Sequence, residues 1–103
     1  MYLWMTSFKA MPGKEGEAIA WAKDAAAVFN EEFGPPQPMQ ILGEELGDYG
    51  TVFVLTIIDD LADVNRIGAW AGQSQEFQAL GKRLVEEELQ VPGSRRDRLL
   101  RYR

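Results

Sequence analysis

Residues Thr51–Ile58 read TVFVLTII and follow directly on the turn Gly47-Asp48-Tyr49-Gly50. A β-strand sends successive side chains to opposite faces. Phe53, Leu55 and Ile57 therefore share one side, and Val52, Val54 and Ile58 share the other. A strand in a half-solvated sheet alternates apolar with polar residues, whereas a strand covered on both sides reads as a continuous apolar run. Leaving three or four such side chains in water forgoes roughly 5–10 kcal/mol, which rivals the whole ~5–15 kcal/mol stability of a domain. Both faces of this strand are expected to be covered.

Working outward, Tyr2–Lys9 (YLWMTSFK) reads as a first strand, with Tyr2, Trp4 and Phe8 on one face and Leu3 and Met5 on the other. Met11-Pro12-Gly13-Lys14 is a turn. A helix is predicted from about Lys14 to Phe33, opened by Glu15 and Glu17 at its positive end and ended by Gly34-Pro35-Pro36. Its apolar stripe is Ala18, Trp21, Ala22, Ala25, Val28 and Phe29, and its alanines permit close approach to a sheet. Pro38–Leu46 is a weaker second strand, with Gly43 as a candidate bulge, joined by a short turn to Thr51–Ile58 as a hairpin. Asp59-Asp60 caps a helix from about Leu61 to Gly72, with Leu61, Val64, Ile67 or Gly68, and Ala71 inward. Ser74 caps a second segment reaching Leu89, with Phe77, Leu80 and Leu84 inward and Val85 as a further candidate. Gln90–Ser94 is a loop around Pro92-Gly93, and Arg95–Arg103 is a last strand.

The order β-α-β-β-α-β is that of an α+β, ferredoxin-like sandwich: an antiparallel sheet with its helices on one face. One domain is expected over residues 1–103. Two helical layers cover only one face of such a sheet, so the second apolar face calls for a second molecule. A two-fold homodimer pairing sheet on sheet is the simplest partner.

Composition narrows the chemistry. The chain has no cysteine and no histidine, which removes thiol chemistry, the usual general base near neutral pH, and the commonest metal and haem ligands. Of its 16 acidic and 11 basic residues, five arginines and one aspartate lie in Arg95–Arg103. The remaining body is strongly acidic, which argues against nucleic acid as partner. Neither a secretory leader nor an apolar run of about 20 residues is found, and a cytoplasmic location is expected.

Several stretches resemble a known superfamily. The Pro12-Gly13-Lys14 turn, the long Trp-containing helix, SQEFQALGKRL at 74–84, Pro92-Gly93-Ser94 and RDRLLR at 96–101 are similar to dimeric α+β barrel proteins. The NIPSNAP-like group comes first and the antibiotic-biosynthesis-monooxygenase group next. The resemblance implies a dimer whose two sheets meet as a barrel, with a pocket between sheet and helices. It implies no cofactor, since some members are cofactor-free oxygenases and the haem-degrading members use a histidine that this chain lacks. The quinone-forming oxygenases use a helix asparagine and tryptophan, for which Asn65 and Trp70 stand on the corresponding helix, five residues apart rather than one turn.

Site candidates follow from these readings. Trp4, Phe8, Phe53 and Trp70 are expected to line a pocket for a small apolar or aromatic ligand, or else to be core and interface. Arg66, one turn before Trp70, is a candidate for orienting an anionic or phenolic group. The arginine-rich end reads as a charged edge strand with Glu44, Glu45 or Glu86–Glu88 as partners. Asp59, Asp60 and Asp63 read as helix-capping residues rather than a metal site. Three functions compete: a non-catalytic or uncharacterised binding or structural protein, a cofactor-independent monooxygenase acting on a phenolic or polycyclic substrate through Asn65, Arg66 and Trp70, and a ligand-sensing regulatory module.

Overall fold

Backbone pairing in the computed structural model, which describes Met1–Arg103, gives four strands: β1 (Tyr2–Lys9), β2 (Gln40–Gly43), β3 (Thr51–Ile58) and β4 (Arg96–Arg101). The helices are α1 (Glu15–Glu32), α2 (Ala62–Gln73) and α3 (Gln75–Glu86). The sheet runs β2-β3-β1-β4, antiparallel at every pairing. This is the ferredoxin-like arrangement expected from the element order, with the second crossover divided at Ser74. That division has a local cause, because the Ser74 hydroxyl accepts the Phe77 N–H at 3.1 Å and starts α3. Asp60 does the same for α2, accepting the Ala62 N–H at 2.9 Å while its own N–H donates to Asp63 at 3.2 Å.

Register determines which side chains share a face. Tyr2, Trp4, Thr6 and Phe8 pair with Ile58, Thr56, Val54 and Val52, and this side lies under the helices. Phe8 and Val52 pack with Ala18 and Ala22 of α1 in one buried cluster, and Ile58 packs with Phe29 and Ile67 in a second. The small α1 residues permit that closeness. Gly43 serves the same end: it stands in a regular pair with Val52, not in a bulge, and a Cβ there would lie 3.3 Å from the Ile19 side chain. β2 is shorter than Pro38–Leu46, and β4 ends at Arg101.

The opposite side carries Leu3 and Met5 of β1, Leu42 of β2, Phe53, Leu55 and Ile57 of β3, and Leu100 of β4. None of the seven is buried, and Leu42 and Leu100 are 51% and 45% exposed. The Cα envelope is only 21 Å in its thin direction, room for a sheet and one layer of helices. Accessible area points the same way. The chain exposes 6567 Å², against about 5,800 Å² for a monomeric protein of its 11.6 kDa mass. No helix is long and apolar enough to cross a membrane.

Phe29, 1% exposed, joins the two layers. Phe29→Ala should lower unfolding free energy by about 3–5 kcal/mol, and Leu46→Ala, at an 89% exposed position, by under about 0.5 kcal/mol. Urea unfolding followed by circular dichroism measures both; equal losses would contradict this core.

Candidate functional site

Between the sheet and the helices lies a cavity of about 300 Å³. Trp4, Thr6 and Phe8 of β1 and Val54 and Thr56 of β3 form its floor. Trp21, Ala22, Ala25 and Phe29 come from α1; Ile67, Gly68, Trp70 and Ala71 from α2; Phe77 and Leu84 from α3. Met39, Gln90 and Arg95 complete the wall. The small residues Ala22, Ala25, Gly68 and Ala71 leave the space that the aromatic residues frame. Mostly apolar walls with a few polar groups are the usual composition of a small-molecule site.

Two of the tryptophans are tied by their polar edges. Trp70 donates its indole N–H to Glu32 at 3.2 Å, and the same carboxylate oxygen accepts the Ser74 hydroxyl at 2.6 Å. Its ring meets Phe29 edge-on at 5.3 Å and Phe77 at 4.9 Å between centroids. Trp21 donates to the Leu80 carbonyl at 2.7 Å and meets Phe8 edge-on at 6.0 Å. Helix α1 is thus fastened to the α2–α3 junction at one end and to α3 at the other. The rings frame the cavity in defined orientations.

The polar end is built by β1, β4 and the turn between α3 and β4. Leu89–Val91 runs along the end of β1, with the Met11 N–H on Leu89 O at 3.0 Å and the Val91 N–H on Lys9 O at 2.8 Å. The chain then reverses through Pro92-Gly93, where Gly93 takes φ +75°, a region open to glycine at little cost. The Ser94 hydroxyl closes the turn, accepting the Lys9 N–H at 3.0 Å and donating to Val91 O at 2.6 Å. Gln90 and Arg95 flank this turn and both reach the cavity wall. Asp97 organises the group: it accepts Thr6 Oγ1 at 2.6 Å, Trp4 Nε1 at 3.2 Å and Arg95 Nε at 3.0 Å. Partial burial pushes the Asp97 carboxyl up. The hydrogen bonds from Thr6, Arg95 and Trp4, with the Arg95 charge, outweigh it and hold the group below the ordinary carboxylate value.

Trp4, Phe8 and Trp70 come together around the cavity. Phe53 does not: it pairs with Ser7 and Leu42 on the opposite side of the sheet, because odd and even positions of β3 point apart. Asn65 and Arg66 are exposed and absent from the wall, and Arg66 is ion-paired to Asp63. One helical turn places Arg66 near Trp70 along α2, but at this crossing the inner stripe is Ile67, Trp70 and Ala71. Arg66 is therefore not placed to orient a group in the cavity, and the arginine at the cavity is Arg95. Nor do the β4 arginines pair with Glu44 and Glu45, which follow β2 at the far edge of the sheet. Arg95 bonds Asp97, and Arg96 donates to the Gly93 and Arg95 carbonyls. Arg95, Gln90, Thr6 and Asp97 were missed by sequence reasoning. The one available signal was Asp97, a lone acid within an arginine run.

Fold and cavity together define a ferredoxin-like α+β sandwich with an apolar chamber between sheet and helices. No protein-family model matches the chain, and no curated protein matches it in sequence. Solved structures do. A NIPSNAP family protein from Agrobacterium tumefaciens aligns with 99% of this chain and 92% of its own at TM-score 0.81 and 17% identity. A dimeric protein of unknown function and ferredoxin-like fold from Bacteroides fragilis aligns over 98% and 95% at TM-score 0.70 and 18% identity. An antibiotic biosynthesis monooxygenase aligns over 100% and 99% at TM-score 0.71 and 10% identity. The chain thus has the fold shared by NIPSNAP family and antibiotic biosynthesis monooxygenase structures, as its turns and core pattern suggested.

The Asp97 cluster has a pH signature. A depressed folded-state pKa contributes stability above the unfolded value, about 3.9, and that stability is lost as pH falls through the folded value. Asp97→Asn should lower the unfolding free energy read from urea titration at pH 7 slightly, by roughly 1 kcal/mol or less for so exposed a group. The gap from wild type should close as pH drops below about 4. A gap that persists undiminished in acid would show that the carboxylate charge is not what the cluster holds.

Proposed function

We propose that this protein, folding as one domain over residues 1–103, is a homodimeric binding protein for a small apolar or aromatic molecule. The chamber framed by Trp4, Phe8 and Trp70 is its site. The observation that carries this reading is the cavity of about 300 Å³, at the lower bound of the ~300–1,000 Å³ of small-molecule pockets. The chain has no cysteine, so no disulfide supports the fold; a cytoplasmic location belongs to the same reading.

Dimer formation is supported by the seven unburied apolar residues on the outer sheet face. The area by which the chain exceeds a monomer of its size, about 700 Å², is close to the ~800 Å² each partner contributes to a standard interface. The Bacteroides structure described as dimeric has the same fold. An oxygenase reading is not advanced. It relied on Asn65 and Arg66 beside Trp70, and of these only Trp70 borders the chamber.

Two measurements test the reading. Sedimentation velocity at micromolar concentration should give twice the 11.6 kDa chain mass, and Leu55→Glu, which sets a charge in the outer face, should give single chains with unchanged far-UV dichroism. A wild type that sediments as one copy would refute the dimer. For the chamber, 2-naphthamide and 2-naphthoate are titrated in parallel against tryptophan fluorescence. At least one should bind saturably, and Ala71→Phe, which fills the space, should abolish that binding while the fold persists. No saturable binding of either compound would refute the site.

A further inference from the structure

We infer that the molecule taken by this chamber is an amphiphilic anion: a flat aromatic or branched apolar body ending in one carboxylate or phenolate-type oxyanion, which docks on Arg95. This rests on the reading of the chamber as a ligand site and specifies the class of its occupant.

Arg95 is the only charged residue in the cavity wall; every other lining group is apolar or a neutral polar side chain. Its guanidinium is held from one side. Nε and Nη2 donate to the two oxygens of Asp97 at 3.0 and 3.4 Å, while Nη1 donates to nothing in the chain. Arginine carries five N–H groups in a rigid planar fork, so fastening Nε and Nη2 orients Nη1 without using it. Asp97 leaves little to offer a ligand, since its oxygens already accept Trp4, Thr6 and both Arg95 nitrogens.

The neighbouring polar groups select the same chemistry. Thr6 spends its hydroxyl proton on Asp97, and Trp4 spends its N–H there as well. The donors left at this end are the Arg95 N–H groups not turned to Asp97 and the Gln90 amide, which stand on either side of the Pro92-Gly93 turn; the Thr56 hydroxyl, buried on β3, is a further uncommitted donor of the wall. A ligand cation would meet the guanidinium charge with no free carboxylate to balance it. A neutral body would fill the apolar part and leave Nη1 unused. An oxyanion accepts a charge-assisted hydrogen bond from Nη1 and a second from Gln90. The Arg95 side chain is 58% exposed, so the oxyanion sits at the mouth, partly hydrated, with its apolar body inside among Trp4, Phe29 and Trp70. That division suits an amphiphile that enters body first.

The test compares three molecules of one shape: 2-naphthoate, the neutral 2-naphthamide and the cationic 2-naphthylmethylammonium. Binding is read by calorimetry at pH 7 on the intact protein. The anion should bind about tenfold or more tighter than the amide, and the cation weakest. Raising salt should narrow the gap, because the head group is at the surface. Arg95→Met should remove the anion's advantage and leave amide affinity within about twofold. Arg95→Lys, which keeps the charge, should restore part of the advantage; retained dichroism in both variants excludes misfolding. Anion and amide binding equally well, or Arg95→Met keeping the preference, would overturn the anion assignment while the chamber remains a site. Absence of binding by all three would overturn both.

Discussion

Everything in this structure follows from a sheet that is apolar on both faces and has helices enough for one. Hydrophobic burial is proportional to area removed from water, so a strand such as β3 is stabilised only if Val52 and Ile58 on one side and Phe53, Leu55 and Ile57 on the other all find cover. The crossovers β1-α1-β2 and β3-α2-α3-β4 set every helix against the Val52 side. The outer side leaves its leucines and isoleucine unburied. The proposed dimer is the least elaborate means of covering that face, since a two-fold axis presents the same apolar patch to itself.

The helix side is not closed by the same packing. Small residues on α1 bring that helix close to the sheet at Ala18 and Ala22, where the first buried cluster forms. Further along, larger rings hold helix and sheet apart. Trp70 is anchored to Glu32, and Trp21 to the Leu80 carbonyl, so the rings cannot swing inward to fill the gap between them. A chamber results because the hydrogen bonds that orient the tryptophans fix them as walls. The polar end depends on a different device, a tight reversal at Gly93 that returns the chain beside β1 and delivers Gln90 and Arg95 to one place.

Asp97 illustrates how one residue serves both layers of the design. It lies on the edge strand β4, directly opposite Thr6 of β1, and gathers donors from three positions of the chain. Its depressed pKa is a consequence of that gathering. The same bonds hold Arg95 from one side, and Arg95 is the one charged side chain in the cavity wall.

Local pattern determined much of this. The alternation in TVFVLTII, the alanine and aromatic spacing of α1, the capping by Asp60 and Ser74 and the turn at Pro92-Gly93 each act over a few residues, and each formed the element its chemistry requires. The element order then restricts the topology to very few choices, so fold class was legible, whereas the face of β1 that meets the helices, and with it the turning of Trp4 and Phe8 toward them, was not. Tertiary structure alone decided the rest. Phe53 departs from the site because register assigns it to the outer face. Arg66 departs because α2 turns Ile67, Trp70 and Ala71 inward and leaves Arg66 to Asp63. Arg95 enters because β4 pairs with β1, ninety residues away in sequence, and such long-range pairings depend on how whole faces pack, not on the residues flanking any one position.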